Sequence, residues 1–390
     1  MKKIISLILS GVLSLLGFAL PGDDLLPIPE REGVPTQENL ELFQLIFESE
    51  TAWLASLQLP NGAISMTYAL NGEVKVNPYF ADFAALALLD KADVYSETVK
   101  KYMDWHFSHL NTEKTDRNGL DGTIYDYTVT LENGKIIDES IAILEGKESY
   151  DTTDSYAATF LLVLSKYYDK TGDREYIIAH KEEIKRVVNA MFATYHNGLT
   201  MAKPDWTVKY LMDNCEVYEA VIATEKLFEN VLCVQDPSLK PLQEKCDKAI
   251  TEISQTIEEE FWMPLAGHYK VGMTKLLKIT SDAFSWDTYY PAATSQLFPI
   301  IHGVIAPNTE RANKLYDRFC EEFDWANFDY PDAFYWGANL QAAVMMNDID
   351  RVVVYMTNYA ELIDTHDFPL YNADAARVCL AANMLLEKYG

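Results

Sequence analysis

The segment ESYDTTDSYAATFLLVLSKYYDKTGD places two aspartates, Asp151 and Asp154, just ahead of a run that turns apolar. A second acidic pair, Asp213 and Glu216, stands three residues apart in MDNCEVYEAV, which puts both on one helical face. Carboxyl groups gathered at one site can hold different pKa values, so that one stays protonated as a general acid while another works as a base or nucleophile. The plainer reading is structural. An aspartate at a helix start caps an orphan backbone N–H and suits the positive end of the helix dipole. On that reading one of Asp151 and Asp154 is a cap, and with Asp151 as the cap Asp154 falls at an N3-like position. Asp213 and Glu216 would then belong to a solvated first turn.

Aromatic and polar residues crowd around these acids. KPDWTVKY supplies Lys203, Asp205, Trp206 and Tyr210 just upstream of Asp213. FSWDTYYP supplies Trp286, Asp287, Tyr289 and Tyr290, and FDYPDAFYW supplies Asp332, Tyr335 and Trp336. Rings at helical spacing serve a core as readily as a binding platform. Other chemistries find less support. The seven histidines form no HxxxH or HExxH, and the five cysteines form no CxxC, so no metal site is expected. No GxSxG, P-loop or GxGxxG occurs, and no organic cofactor is expected. The stretch DRNGLDGTIYDY (116–127) resembles a calcium loop but carries one residue too many and lacks a Glu at its twelfth position. A turn with local Asx bonding is the expectation there.

The elements that position these groups are helical. The chain has 390 residues and is 49% hydrophobic, enough for a large core. A net charge of -27 without basic clusters argues against nucleic acid and anionic membranes, and favours neutral or cationic substrates. The opening MKKIISLILSGVLSLLGFALPG reads as a signal peptide over residues 1–22: Lys2 and Lys3, an apolar run, then Gly17 and Ala19. Export is expected, with an uncleaved anchor as the alternative, and no membrane partner once the leader is removed. Residues 23–35 read as a linker. From 36 to 390, amphipathic charge-rich helices (36–58, 96–110, 174–195, 238–262, 308–323, 348–363) alternate with helices apolar or small almost all round (77–89, 151–168, 212–228, 286–304, 331–346, 372–389). The second kind belongs inside. Six such hairpins closed into a ring form an all-α (α/α)6 toroid in one domain. Long connections lead into the inner helices and contain small β-hairpins, turning at Asn71-Gly72, near Asn133-Gly134, and in AGHYKVGMTKLLKITSDAFSW. All lie on one face, which suggests a built cleft. Scattered cysteines at Cys215, Cys233, Cys246, Cys320 and Cys379 read as thiols rather than a disulfide framework.

This architecture resembles the six-hairpin glycosidase superfamily, (α/α)6-barrel carbohydrate enzymes, over roughly 36–389. The best local matches are DTTDSYAATFLLVLSKYYDKTGD, similar to fourth-helix segments, and KPDWTVKYLMDNCEVYEAV, similar to the approach to the sixth helix. The resemblance implies a cleft lined by the inner-helix starts, with Asp154 contacting the reacting sugar. With it, the catalytic candidates are Asp154, Asp213 and Asp151. The substrate-binding candidates are Tyr79, Lys203, Trp206, Tyr210, Glu216, Trp286, Asp287, Tyr289, Asp332 and Trp336. Acids and aromatics together suit sugars, because ring faces stack on C–H surfaces and paired carboxyls cleave glycosides. The expected function is a secreted hydrolase of a neutral or amino-sugar glycan. A polysaccharide lyase on a similar toroid and a non-catalytic carbohydrate-binding protein are the alternatives.

Overall fold

The computed structural model describes residues 22–274, 286–329, 336–366 and 370–390. Six outer and six inner segments alternate along them. α1 (Gln37–Ser56) precedes inner α2 (Pro78–Leu88), and α3 (Ala92–Ser108) precedes inner α4 (Asp154–Thr171). The third outer layer is split into α5 (Arg174–Ala179) and α6 (Lys181–Met191) before inner α7 (Leu211–Leu227). Then come α8 (Lys240–Thr256) with the short inner α9 (Phe298–Ile301), and α10 (Glu310–Glu322) with inner α11 (Gly337–Met345). The last pair is α12 (Ile349–Tyr359) and inner α13 (Asn372–Tyr389). Each inner helix packs on the next, and α13 packs on α2, so the inner ring closes. The outer helices lie against it: α1 on α13 and α2, α3 on α2 and α4, α6 on α4, α8 on α7. The expected (α/α)6 toroid is the fold.

Composition explains which helices go inside. In α2 every residue from Ala81 to Leu88 is buried, and α13 buries Ala375, Ala376, Ala381 and Ala382. Small side chains let helix axes approach closely. At Gly337 the approach is closest, because a Cβ there would lie 2.6 Å from the Asp374 carbonyl and 2.9 Å from Arg377 Cβ. Asp82, buried mid-helix in α2, accepts from Tyr102 Oη at 2.8 Å and Thr159 Oγ1 at 2.7 Å, tying α2 to α3 and α4. Several outer helices start at side-chain caps. Thr36 forms a capping box with Asn39, and Thr309 caps α10.

Two expectations about elements change. The inner segment over 286–304 is not one helix but a wide turn, Tyr289–Ala293, followed by Phe298–Ile301. Pro291 and Pro299 remove backbone donors and interrupt it. The chain folds back at Asn71-Gly72, where the Met66 N–H donates to the Lys75 carbonyl at 2.8 Å, but the two arms form no hairpin ladder. Instead β1 (Gly72–Val76) pairs antiparallel with β2 (Tyr127–Glu132), far along the sequence. The Asn133-Gly134 hairpin does form: β2 pairs with β3 (Lys135–Ile141), and both turn residues take positive φ, 51° and 72°. A smaller hairpin, β4 (Ile143–Leu144) with β5 (Lys147–Glu148), follows. β6 (Val208–Tyr210) stands before α7. In the third loop β7 (Trp262–Met263) pairs with β8 (His268–Tyr269), and β9 (Gly272–Thr274) pairs with β6. Most of the rest of that loop lies outside the described residues.

Residues 24–33, read as linker, lie on the outer layer. Buried Arg311 donates to both Asp24 carboxylate oxygens, at 2.8 and 2.9 Å, and Asn347 Nδ2 donates to the Gly33 carbonyl at 3.2 Å. Of residues 1–22, expected to form a leader, 1–21 lie outside the described residues. No described helix is long and apolar enough to cross a membrane. Gly337→Ala is expected to destabilise the protein by about 1–3 kcal/mol, because the added methyl must push α11 off α13. Urea unfolding of the parent and variant measures this, and an unchanged midpoint would contradict the contact.

Candidate active site

A cavity of about 720 Å³ opens where the inner segments begin. Each of the six contributes residues from its start: Tyr79 and Phe80 from α2, Ser155 and Tyr156 from α4, Asp213 and Glu216 from α7, Tyr290 and Phe298 around α9, Trp336 before α11, and Asp374 and Arg377 from α13. Loops complete the wall with Arg117, Asp126, Leu144, Lys147, Tyr150, Asp151, Lys203 and Trp206. The first turns of the inner helices thus meet around one space.

The cap of α2 links ring and loops. Asn77 Oδ1 accepts from the Phe80 N–H at 3.0 Å, while its Nδ2 donates to Tyr156 Oη at 2.7 Å and to Asp126 Oδ1 at 3.1 Å. Asp126 also accepts from Tyr156 Oη at 2.9 Å and Ser149 Oγ at 3.0 Å. Burial pushes its carboxyl up to about 6 despite these donors.

On α7 the two acids differ in their surroundings. Glu216 accepts from Tyr79 Oη and lies 3.9 Å from Arg377, whose guanidinium sits over the Phe83 ring at 4.0 Å. Burial raises its carboxyl, and His302, Tyr79 and Arg377 oppose the rise. Asp213 has no such support. Its Oδ2 is buried without a hydrogen-bond partner among the described residues. Desolvation, reinforced by the charges of Asp154, Glu216 and Asp151, holds its carboxyl well above the usual range. Asp213 is therefore a cavity-lining acid whose surroundings favour the neutral form. Asp374, at the start of α13, accepts from the Gly337 N–H at 3.2 Å and is pushed by burial to about 6.

Neither aspartate of the first pair is a cap. The N-cap of α4 is Thr153, which makes no side-chain cap bond, and Asp154 is the first helical residue. Thr153 is held instead by the Ala202 carbonyl, to which its N–H donates at 2.7 Å. Asp151 is exposed and lines the cavity, whereas Asp154 is 0% exposed and lies behind the wall. Complete burial, with Glu216 near, pushes Asp154 up to about 7 against bonds from Thr200 and the Ser155 N–H. The helix rotation that turns Ser155 and Tyr156 to the cavity turns Asp154 toward α7.

Among the other expected contacts, Tyr79, Lys203, Trp206, Glu216 and Trp336 line the cavity. Tyr210 stands beside it and accepts from Trp206 Nε1 at 3.0 Å, leaving the Trp206 ring 53% exposed. Tyr289 is a core residue, its hydroxyl accepting from Asn339 Nδ2 at 2.6 Å; the neighbouring Tyr290 takes the cavity position, 5.0 Å from the Trp336 ring. Trp286 faces the outer layer, under Arg318 of α10 at 5.5 Å, and Asp287 is exposed outside the cavity lining. Asp332 lies outside the described residues. The 116–127 loop closes on itself: Asp116 accepts from the Asn118 and Leu120 N–H groups at 2.8 and 3.0 Å and from Thr123 Oγ1 at 2.8 Å. No group of three or more metal-ligating side chains occurs among the described residues. Asp126, Asp374, Arg117 and Arg377 escaped the sequence reading. The last helix's first turn, NADAAR, carries a signal for Asp374 and Arg377, but nothing local marks Asp126 or Arg117.

Neither a family model nor a curated protein matches this sequence. Among solved structures the chain is similar to a wild-type glycosidase, at 11% identity and a TM-score of 0.60, covering 90% of this chain and 97% of that one. It is similar to a mannosylglycerate hydrolase from Thermus thermophilus in complex with glucose, at 12% identity and a TM-score of 0.57, with 87% and 99% covered. It is also similar to a rhamnosidase from Klebsiella oxytoca with rhamnose bound, at 12% identity and a TM-score of 0.55, with 94% and 66% covered. These likenesses show a shared toroid fold.

The raised carboxyls set the sign of a pH effect. A folded-state pKa of about 7 for Asp154, above the ordinary value of roughly 4, means that folding is favoured when the group is protonated. That contribution is full at low pH and is lost as pH rises through about 7. The Tm is expected to fall between roughly pH 4 and about 7, and Asp154→Asn to flatten the fall. Scanning calorimetry across that range tests this, and an Asn variant with the parent's slope would remove Asp154 as its source.

Proposed function

We propose that this chain is a glycoside hydrolase whose general acid is Asp213. The carrying observation is the Asp213 carboxyl on α7, whose Oδ2 is buried without a hydrogen-bond partner among the described residues and which lines a cavity shared with the exposed Asp151. Asp213 gives its proton to the glycosidic oxygen as the C–O bond breaks. Asp151 offsets positive charge developing at the anomeric carbon and takes the proton that the attacking water loses as its oxygen bonds to that carbon; a proton from solvent then restores Asp213. Glu216, beside Tyr79 and Arg377, accepts hydrogen bonds from sugar hydroxyls. The rings of Trp206, Tyr290 and Trp336 stack on sugar faces. The glycosidase neighbours support this reading through their shared fold, and the leader-like N-terminus supports export. The site needs no metal for these steps.

Incubation of the chain lacking its leader with a broad glycan panel, read by mass spectrometry, is the test. Products carrying one added water per cleavage are expected. Unsaturated products without added water would instead establish a lyase. Asp213→Asn is expected to lower kcat by about 100-fold or more on substrates with a poor leaving group. The loss is much smaller on the corresponding glycosyl fluoride, which needs no proton at departure. The parent's activity falls at high pH as Asp213 loses its proton, and the variant lacks that limb on the fluoride. Equal losses on both substrates would assign Asp213 a role other than proton donor.

A further inference from the structure

The cavity is rich in acids, yet part of its wall is basic. Arg117, Lys147 and Lys203 all line it, from the loop after α3, from β5, and from the loop before β6. Arg117 and Lys203 converge on Tyr150: the guanidinium lies 4.9 Å from its ring centroid, and Lys203 Nζ donates to its carbonyl at 3.3 Å. Arg117 is partly committed, donating to the Glu148 carbonyl at 2.8 Å and lying 3.6 Å from Asp205. Lys203 is not. Among the described residues no carboxylate oxygen comes within 4.0 Å of it, and one bond to a carbonyl leaves two of its three N–H donors unused.

Such cations are unexpected on this chain. With 32 basic residues against 59 acidic ones, a lysine finds a carboxylate easily. The net charge repels anions at long range, but salt screens that field beyond roughly 8–10 Å, so the nearest groups decide inside the cavity. Nearby acids are occupied: Asp205 faces Arg117, and Asp126 is held by Tyr156, Asn77 and Ser149. Glu145 and Asp151 also line the cavity, so a bare anion would meet a mixed field. A sugar ring with an anionic group at one edge and hydroxyls at the others matches that mixture.

We infer that the substrate is an acidic glycan, whose carboxylate or sulfate is bound by Lys203 with Arg117 and Lys147 beside it. This rests on the glycoside hydrolase reading and replaces the neutral or amino-sugar substrate expected from net charge. Lys203 determines specificity by supplying charge-assisted hydrogen bonds that a neutral sugar cannot use.

The experiment uses matched oligosaccharides: uronate-containing ones with their carboxyl-reduced counterparts, and sulfated ones with their desulfated counterparts. Calorimetry measures affinity, and mass spectrometry measures turnover in the same samples. At least one acidic member is expected to bind about tenfold more tightly than its neutral partner. Which arm shows the preference tells carboxylate from sulfate. Lys203→Met removes the preference, and Lys203→Arg keeps it. If Lys203→Met does not fold, Lys147→Ser, on an exposed strand, is expected to reduce the preference. Equal affinity within every pair, or a Lys203→Met variant that weakens both members alike, overturns the inference. Preference without turnover removes the hydrolase reading and leaves this one standing; turnover without preference does the reverse.

Discussion

A helix that is apolar on every side has no face to offer to water, so it is stable only where neighbours surround it. Inner helices such as α2 and α13 are of this kind, and each is covered by two ring neighbours and by the outer layer. Ring closure follows from that need. Closure in turn brings the starts of the inner segments to one face, because every outer helix returns the chain before the next inner one begins. The cavity is the space those starts cannot fill. Its chemistry depends on the ring, since the same residues on a separate hairpin would be solvated.

Burial at the helix starts gives the acids their differences. Asp213 and Glu216 sit one turn apart on α7, yet one meets only other carboxyls and the other meets Tyr79 and Arg377. Desolvation raises both, but only Glu216 has partners that favour its charge. Asp154, from the adjacent α4, adds a third acid to the cluster without reaching the cavity. When Asp154 is ionised, its charge raises the Asp213 carboxyl further.

The loops contribute what helices cannot. Asp126, Arg117 and Lys203 come from loop segments lining the cavity; Asp126 is hydrogen-bonded to Asn77 and Tyr156, Lys203 to the Tyr150 carbonyl, and the Arg117 guanidinium lies over the Tyr150 ring. Local sequence does not reveal these contacts. Pairing between β1 and β2 spans about fifty residues, so the choice of partner strand is a long-range decision. An Asn-Gly turn was present at both places, and only the one flanked by β2 and β3 became a two-stranded hairpin.

By itself the sequence determined the elements and their layers, because apolar periodicity says how much of each helix must be hidden. Six charge-rich helices and six apolar ones allow few arrangements, and the expected toroid is the one formed. It also marked the faces where Asp213, Glu216, Lys203 and Trp206 would gather, since their spacing from the inner-helix starts is local. Only the tertiary structure decided which acids reach the cavity. A rotation of about 100° per residue separates Asp154, turned toward α7, from Ser155 on the wall, while extended backbone at Tyr290 turns its ring to the cavity and leaves Tyr289 in the core. The absolute rotation of a helix depends on its packing partners. Those partners are distant in sequence, so no local pattern specifies it.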